Sequence, residues 1–214
     1  MRFTLPTVAA AAALLVGAVP ATAKQSTHHR PERVQSHISL HLSRHSVLSS
    51  ESLVVHGRVR PGGAHRVKLV FGGGGSETVG VTTKRNGAFA LRWRPDGIGS
   101  YKVRAFGIHD RHTTGSASAS RRLTAFHQAE ASYYGPGLYG GALACGGTLQ
   151  PGTLGVANKT LPCGAKVKLR YQGRTITVPV VDRGPYVAGR DFDLTTATKE
   201  KLGFPDLGTL LSSK

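Results

Sequence analysis

Three aspartates and two arginines crowd the stretch V-V-D-R-G-P-Y-V-A-G-R-D-F-D-L-T, Val180 to Thr195, in a chain with only 11 acidic residues in 214. Asp182 stands where an apolar run ends in a Gly-Pro turn, a partly desolvated setting that suits a general acid. Asp191 and Asp193 are two residues apart, so in an extended segment both project to one side and Phe192 to the other. Carboxyls so placed suit cleavage of a glycosidic bond, where one protonates the leaving oxygen and hydrolysis recruits a second. A lytic route needs only one, because a hydroxyl of the sugar replaces water. Structural uses compete with this reading. Asp182 can accept backbone N–H groups in its turn, and Asp193 can cap a helix beginning at Thr195. Arg183 and Arg190 can simply neutralise the carboxylates. All ten histidines lie before residue 131, so chemistry in the second half runs without imidazole.

The elements that must hold these residues read as mostly β. The chain opens with one early arginine, an apolar run and small residues at Ala21, Thr22 and Ala23, the build of a secretory signal peptide over residues 1–23. A membrane anchor is the competing reading, but Pro20 and the shortness of the run count against it. Residues 24–35 are polar and aperiodic, a flexible leader in which the paired His28 and His29 receive no role. From His37 onward, short alternating segments such as H-I-S-L-H-L and R-V-K-L-V-F are separated by P-G-G, N-G and P-D-G-I-G turns. Seven such strands over residues 36–126 predict an antiparallel β-sandwich. The segment N-G-A-F-A-L-R-W-R-P-D-G-I-G-S-Y-K-V-R-A resembles the late strands of bacterial immunoglobulin-like modules, which would make Trp93 and Tyr101 core aromatics. A glycan-stacking platform is the alternative for that pair.

H-Q-A-E, residues 127–130, reads as a linker. Beyond it, K-V-K-L-R-Y and T-I-T-V-P-V-V predict two strands about the Gln172-Gly173 turn. L-T-T-A-T-K-E-K-L-G-F predicts a short helix, capped by Thr195 or Thr196 and stopped at Gly203. Cys145 and Cys163 are the only cysteines. In an exported chain, where disulfides persist, they are expected to pair. The formal net charge of +17 is spread over both halves and predicts attraction to an anionic envelope. No nucleic-acid-binding signature accompanies it.

Tyr133-Tyr134-Gly135, G-G-T-L, G-V-A-N-K-T-L-P-C-G, T-V-P-V-V-D-R-G-P-Y and G-R-D-F-D-L-T occur in this order. Together they resemble the double-psi β-barrel of the rare lipoprotein A family, relatives of expansins and barwin, in its secreted actinobacterial form. That resemblance implies a six-stranded barrel over residues 131–208, with 209–214 as a tail, and a groove for a glycan strand. It places Asp182 at the family's catalytic aspartate and Asp193 at an aspartate shared with expansins. Two positions depart from the pattern. Asn158 stands where active members carry histidine, and Gly147 where many relatives carry an acid.

The expectation is thus an all-β chain: an Ig-like sandwich followed by the barrel with one or two short helices. Asp182 and Asp193 are the expected catalytic pair. Tyr134, Asn158, Arg183, Tyr186 and Asp191 are the expected substrate-binding residues, with Tyr134 and Tyr186 lining the groove. No metal and no cofactor are expected. The expected protein is a secreted, wall-associated monomer with no membrane anchor after signal cleavage. It acts on peptidoglycan glycan strands as a lytic transglycosylase, or as a non-catalytic expansin-like binding module.

Overall fold

The computed structural model describes residues 34–73, 75–108 and 113–214. The expected signal peptide, His28, His29 and all of the expected leader except Val34 and Gln35 lie outside the described residues.

Alternating sequence gives each strand one apolar and one polar face, and burial follows that period. In chain order the first nine strands are β1 (Val34–Gln35), β2 (His37–Leu42), β3 (Ser46–Leu48), β4 (Leu53–Arg60), β5 (Arg66–Gly72), β6 (Ser76–Thr82), β7 (Ala88–Trp93), β8 (Gly99–Gly107) and β9 (Thr113–Thr114). The long β10 (Arg121–Tyr134) follows, then β11 (Val156–Ala157), β12 (Lys166–Tyr171), β13 (Arg174–Asp182), β14 (Phe192–Thr195), helix α1 (Thr196–Leu202) and β15 (Leu207–Ser212). All seven strands expected before residue 127 are present. Val34 and Gln35, assigned to the leader, instead pair as β1 with β9.

β2, β4 and β7 form one antiparallel sheet. β6, β5, β8 and the first part of β10 form a second, with β3 alongside β10. The inner faces share a core in which Leu40, Val55 and Val59 meet Leu69, Val103 and Leu123. Phe71 stacks on Trp93 across the two sheets with ring centroids 4.1 Å apart, and Tyr101 meets the same indole edge-on at 5.3 Å. Trp93 and Tyr101 are therefore core aromatics with satisfied polar tips. The indole donates to Glu77 at 2.7 Å and the phenol to Asp96 at 2.6 Å.

The second core is enclosed by a ring of strands. β10 pairs with β14, β14 with β11, β11 with β13, β13 with β12, β12 with β15, and β15 again with β10. Six strands thus close on themselves, which removes the exposed edges an open sheet would leave. Inside lie Ala131, Val156, Val167, Leu169, Val178, Val180, Leu194 and Leu210. The β12–β13 hairpin turns at Gln172 and Gly173, whose φ values of 43° and 83° define the primed turn that matches strand twist. Thr195 caps α1, its hydroxyl accepting from the Thr198 N–H, and Gly203 ends the helix at φ 68°. Asp193 is not the cap.

Two boundaries differ from expectation. No break falls at 127–130, because β10 runs unbroken from the sandwich into the barrel. H-Q-A-E hides a strand: Ala129 faces the core while Gln128 and Glu130 are exposed, and alanine is too weakly apolar to reveal the alternation. The expected tail at 209–214 mostly belongs to β15, which is held between β10 and β12.

Candidate active site

Asp182 is the last residue of β13 and is half-buried. Its Oδ1 accepts the backbone N–H groups of Ala144 at 2.9 Å and Arg183 at 2.8 Å. Two loops converge there, one after β10 and one after β11, and the Cys145–Cys163 disulfide joins them. The same loops anchor to β13 through Cys145 N–H to Val181 O at 3.2 Å and Gly164 N–H to Val180 O at 2.8 Å. Gly155, where the first loop enters β11, permits its close approach to β13, since a Cβ there would lie 2.4 Å from Val181 Cγ2.

Asp193 reaches the same region from β14. The parallel register of β10 and β14 sets Ser132 opposite Asp193. The Ser132 hydroxyl donates to Asp193 Oδ1 and accepts from Arg190 at 3.1 Å. Tyr134 lies two residues further along β10, on the same face of the strand as Ser132. Its hydroxyl is buried and has no hydrogen-bond partner. Burial pushes the Tyr134 phenol well above its ordinary range, and the charges of Asp182 and Asp193 push it further. Asp182 acts on that hydroxyl through its charge, and no hydrogen bond joins the two. Both carboxylates therefore act on one hydroxyl that stays protonated through the neutral range.

The remaining expected site residues are largely occupied with structure. Arg183 does not neutralise a carboxylate. Its guanidinium donates to the carbonyls of Asn158 and Leu161, both at 3.0 Å, and approaches Cys163 Sγ at 3.0 Å. Asn158 spends its amide holding its own loop: Oδ1 accepts from Thr160 and Leu161 N–H, and Nδ2 donates to the Asp191 carbonyl at 3.0 Å. Asp191 accepts from Glu130 N–H at 3.0 Å and so pins β14 to β10. Tyr186 is 84% exposed, at the turn that follows Asp182. Arg190 acts on Asp193 only through Ser132. Among the described residues no ion pair reaches Asp182, Asp191 or Asp193. Ser132 and the Ala144 N–H were not anticipated. Both come into place through long-range strand pairing and loop closure, which leave no local mark in the sequence.

A cleft of about 700 Å³ is lined by Arg44, Phe126, Arg170 and Tyr171 and by none of these carboxylates. No cluster of His, Cys, Asp and Glu among the described residues is arranged to hold a metal ion. No described helix is long and apolar enough to cross a membrane. Two uncompensated carboxylates beside a protonated phenol can give and take a proton at a substrate oxygen.

A closed six-stranded barrel with parallel β10–β14 and β11–β13 pairs, presenting aspartates from two of its strands, places the second half among the double-psi barrels with a carboxylate site. Comparison with known proteins agrees, since residues 127–211 match the family model described as lytic transglycolase. The chain carries a domain of that family. Over 80 residues it is 36% identical to the probable endolytic peptidoglycan transglycosylase RlpA of Synechocystis, covering 36% of this chain and 25% of that protein. The endolytic peptidoglycan transglycosylase RlpA of Pseudomonas aeruginosa (strain UCBPP-PA14) is 38% identical over 81 residues, 37% of this chain and 24% of that protein. The Neisseria meningitidis counterpart is 31% identical over 116 residues, 50% of this chain and 48% of that protein. The match thus spans about a quarter of the first two relatives. Among solved structures, the Streptomyces papain inhibitor is 25% identical at a TM-score of 0.34, covering 41% of this chain and 92% of that one. A likeness that loose carries no argument.

Proposed function

We propose that the protein is exported and cleaves peptidoglycan glycan strands by a lytic route, with Asp182 as acid and base and Asp193 assisting. The observation that carries this reading is the convergence of Asp182 and Asp193 on the buried Tyr134 hydroxyl, with no cation paired to either. Asp182 gives its proton to the bridging oxygen as that oxygen leaves the anomeric carbon. The resulting carboxylate then takes the proton of the sugar's C6 hydroxyl, whose oxygen bonds to the anomeric carbon. One bond breaks and one forms, no water is consumed, and Asp182 ends protonated as it began. Asp193, held by Ser132, supplies negative charge to the oxocarbenium-like transition state. The printed activity of the relatives that share residues 127–211 supports this substrate. The sandwich serves as an Ig-like module that positions the barrel on the anionic envelope.

The test incubates the protein and an Asp182→Asn variant with purified wall glycan and measures anhydro-muramyl ends by mass spectrometry. The unsubstituted protein is expected to generate them and the variant to lose at least about a hundredfold, the lower range for a general acid. Sedimentation with the wall but no anhydro ends from the unsubstituted protein rejects the enzyme. That outcome installs the second reading, a non-catalytic expansin-like binding module. Asn158 favours it, since a non-titrating amide spent on its own loop occupies the place of an imidazole.

A further inference from the structure

The outer face of the β2–β4–β7 sheet carries a pattern that the barrel chemistry does not use. Its exposed positions include His37 and His41 on β2, His56, Arg58 and Arg60 on β4, and Arg92 on β7. The register sets His37 against Arg60 and His41 against His56, with Arg58 next along β4. The His41 and His56 rings stack at 5.6 Å with an interplanar angle of 23°. No carboxylate stands on these strands, and among the described residues no ion pair reaches the three arginines. His37, Ser39, Arg58 and Arg60 line a shallow hollow of about 380 Å³ on this face.

Cations placed directly opposite one another on adjacent strands are mutually unfavourable unless an anion lies between them. Same-face positions recur about every 7 Å along a strand and strands lie about 4.8 Å apart, so these six side chains offer a two-dimensional array. Arginine forks match phosphate oxygens two at a time. The face bears no exposed Phe, Tyr or Trp ring to stack a base, because Phe89 and Trp93 of β7 point into the core. Its only large exposed apolar side chain is Val54, too little for insertion into lipid.

We infer that this face docks a linear polyol-phosphate chain of the cell wall, gripped by Arg58, Arg60 and Arg92, with His37, His41 and His56 beside them as further hydrogen-bond donors. The identity of the polymer rests on the wall reading proposed above. The groups facing the His41–His56 pair from the three strands are Ser39, Val54, Arg58, Ala90 and Arg92. None of them is an acid. Beneath them the core is apolar, and Arg121 reaches only the Leu40 carbonyl at the sheet edge. The positive charge of this face therefore has no acidic partner on its three strands.

The probe is purified poly(glycerol phosphate), titrated into the full chain at 50 and 200 mM salt. An Arg58→Gln/Arg60→Gln/Arg92→Gln variant is expected to bind about tenfold or more weakly and to lose most of the salt dependence. A matched Arg66→Gln/Lys68→Gln/Lys102→Gln variant removes the same charge from the other sheet and is expected to lose less than about threefold. Equal losses in the two triple variants reduce the effect to net charge and overturn the inference. So does tighter binding of a single-stranded oligonucleotide than of the polyol phosphate. Unchanged thermal midpoints show that the variants are folded. Cleavage of phosphate-free glycan by the same variants separates the two readings. Cleavage with polymer binding indifferent to the face variant sinks this inference alone, and polymer binding without cleavage sinks the enzyme alone.

Discussion

Replacing Tyr134 with phenylalanine removes the one oxygen on which the charges of Asp182 and Asp193 both act and leaves the ring in place. That oxygen is buried without a hydrogen-bond partner, an arrangement that costs a folded protein about 1–3 kcal/mol. Deleting it recovers part of that cost, and the void left by one oxygen returns some, so a net stabilisation of about 1 kcal/mol is expected. For a chain of this size that is a rise of about 2–4 °C in thermal midpoint. Differential scanning calorimetry at neutral pH measures it. Glycan cleavage is expected to move the other way, falling about tenfold or more as Asp182 and Asp193 lose the protonated group on which both act. A fall in midpoint of similar size refutes the reasoning, because it means that the hydroxyl is bonded in the folded protein. A higher midpoint with undiminished cleavage leaves the stability argument standing and removes Tyr134 from the chemistry.

Other outcomes follow from the same geometry. The Cys145–Cys163 bridge spans a sequence separation of 18, so a double serine variant is expected to unfold about 3 kcal/mol more easily, measured by urea titration. The same variant frees the loop that carries Ala144 N–H to Asp182, and cleavage should fall even where the protein remains folded. Burial, with the Asp96 carboxylate acting beside it, pushes the Tyr101 phenol from 10.0 up to about 12. Above pH 10 the unfolded chain loses that proton while the folded one keeps it, so roughly 2–3 kcal/mol drains away between pH 10 and 12. A Tyr101→Phe variant should show a flatter alkaline stability curve over that window, and an unchanged slope contradicts the assignment.

How much of this was legible in the sequence depends on how local each signal is. β2, β4 and β5 announce themselves because leucine and valine alternate with polar residues. α1 does so because Thr195 and Gly203 punctuate it. The passage of β10 through 127–130 rests on Ala129, whose single methyl gives no contrast with its neighbours. β15 is a strand because β10 and β12 lie on either side of it, a condition set far away in the chain. Asp182 and Asp193 could be picked out by type and spacing. Their partners could not. Ser132 meets Asp193 through a register between residues 61 apart, and Ala144 meets Asp182 across a separation of 38. Arg183 was read as a charge partner because of its adjacency, yet its guanidinium turns back to carbonyls 22 and 25 residues earlier.

β10 makes the two cores one mechanical object. Its 14 residues, roughly 47 Å of extended chain, carry Leu123 into the first core and Ala131 into the second without a joint between them. A tether would let the barrel sample whatever strand drifted within reach. A shared beam instead fixes where the aspartates stand relative to the sandwich, so under the proposed function the anchoring point would select the bond to be cut. A cut at the apparent linker would leave residues 121–126 with the sandwich and 131–134 with the barrel, yet it would sever the pairs that His127–Glu130 make with β15 and remove the continuous strand between the two cores.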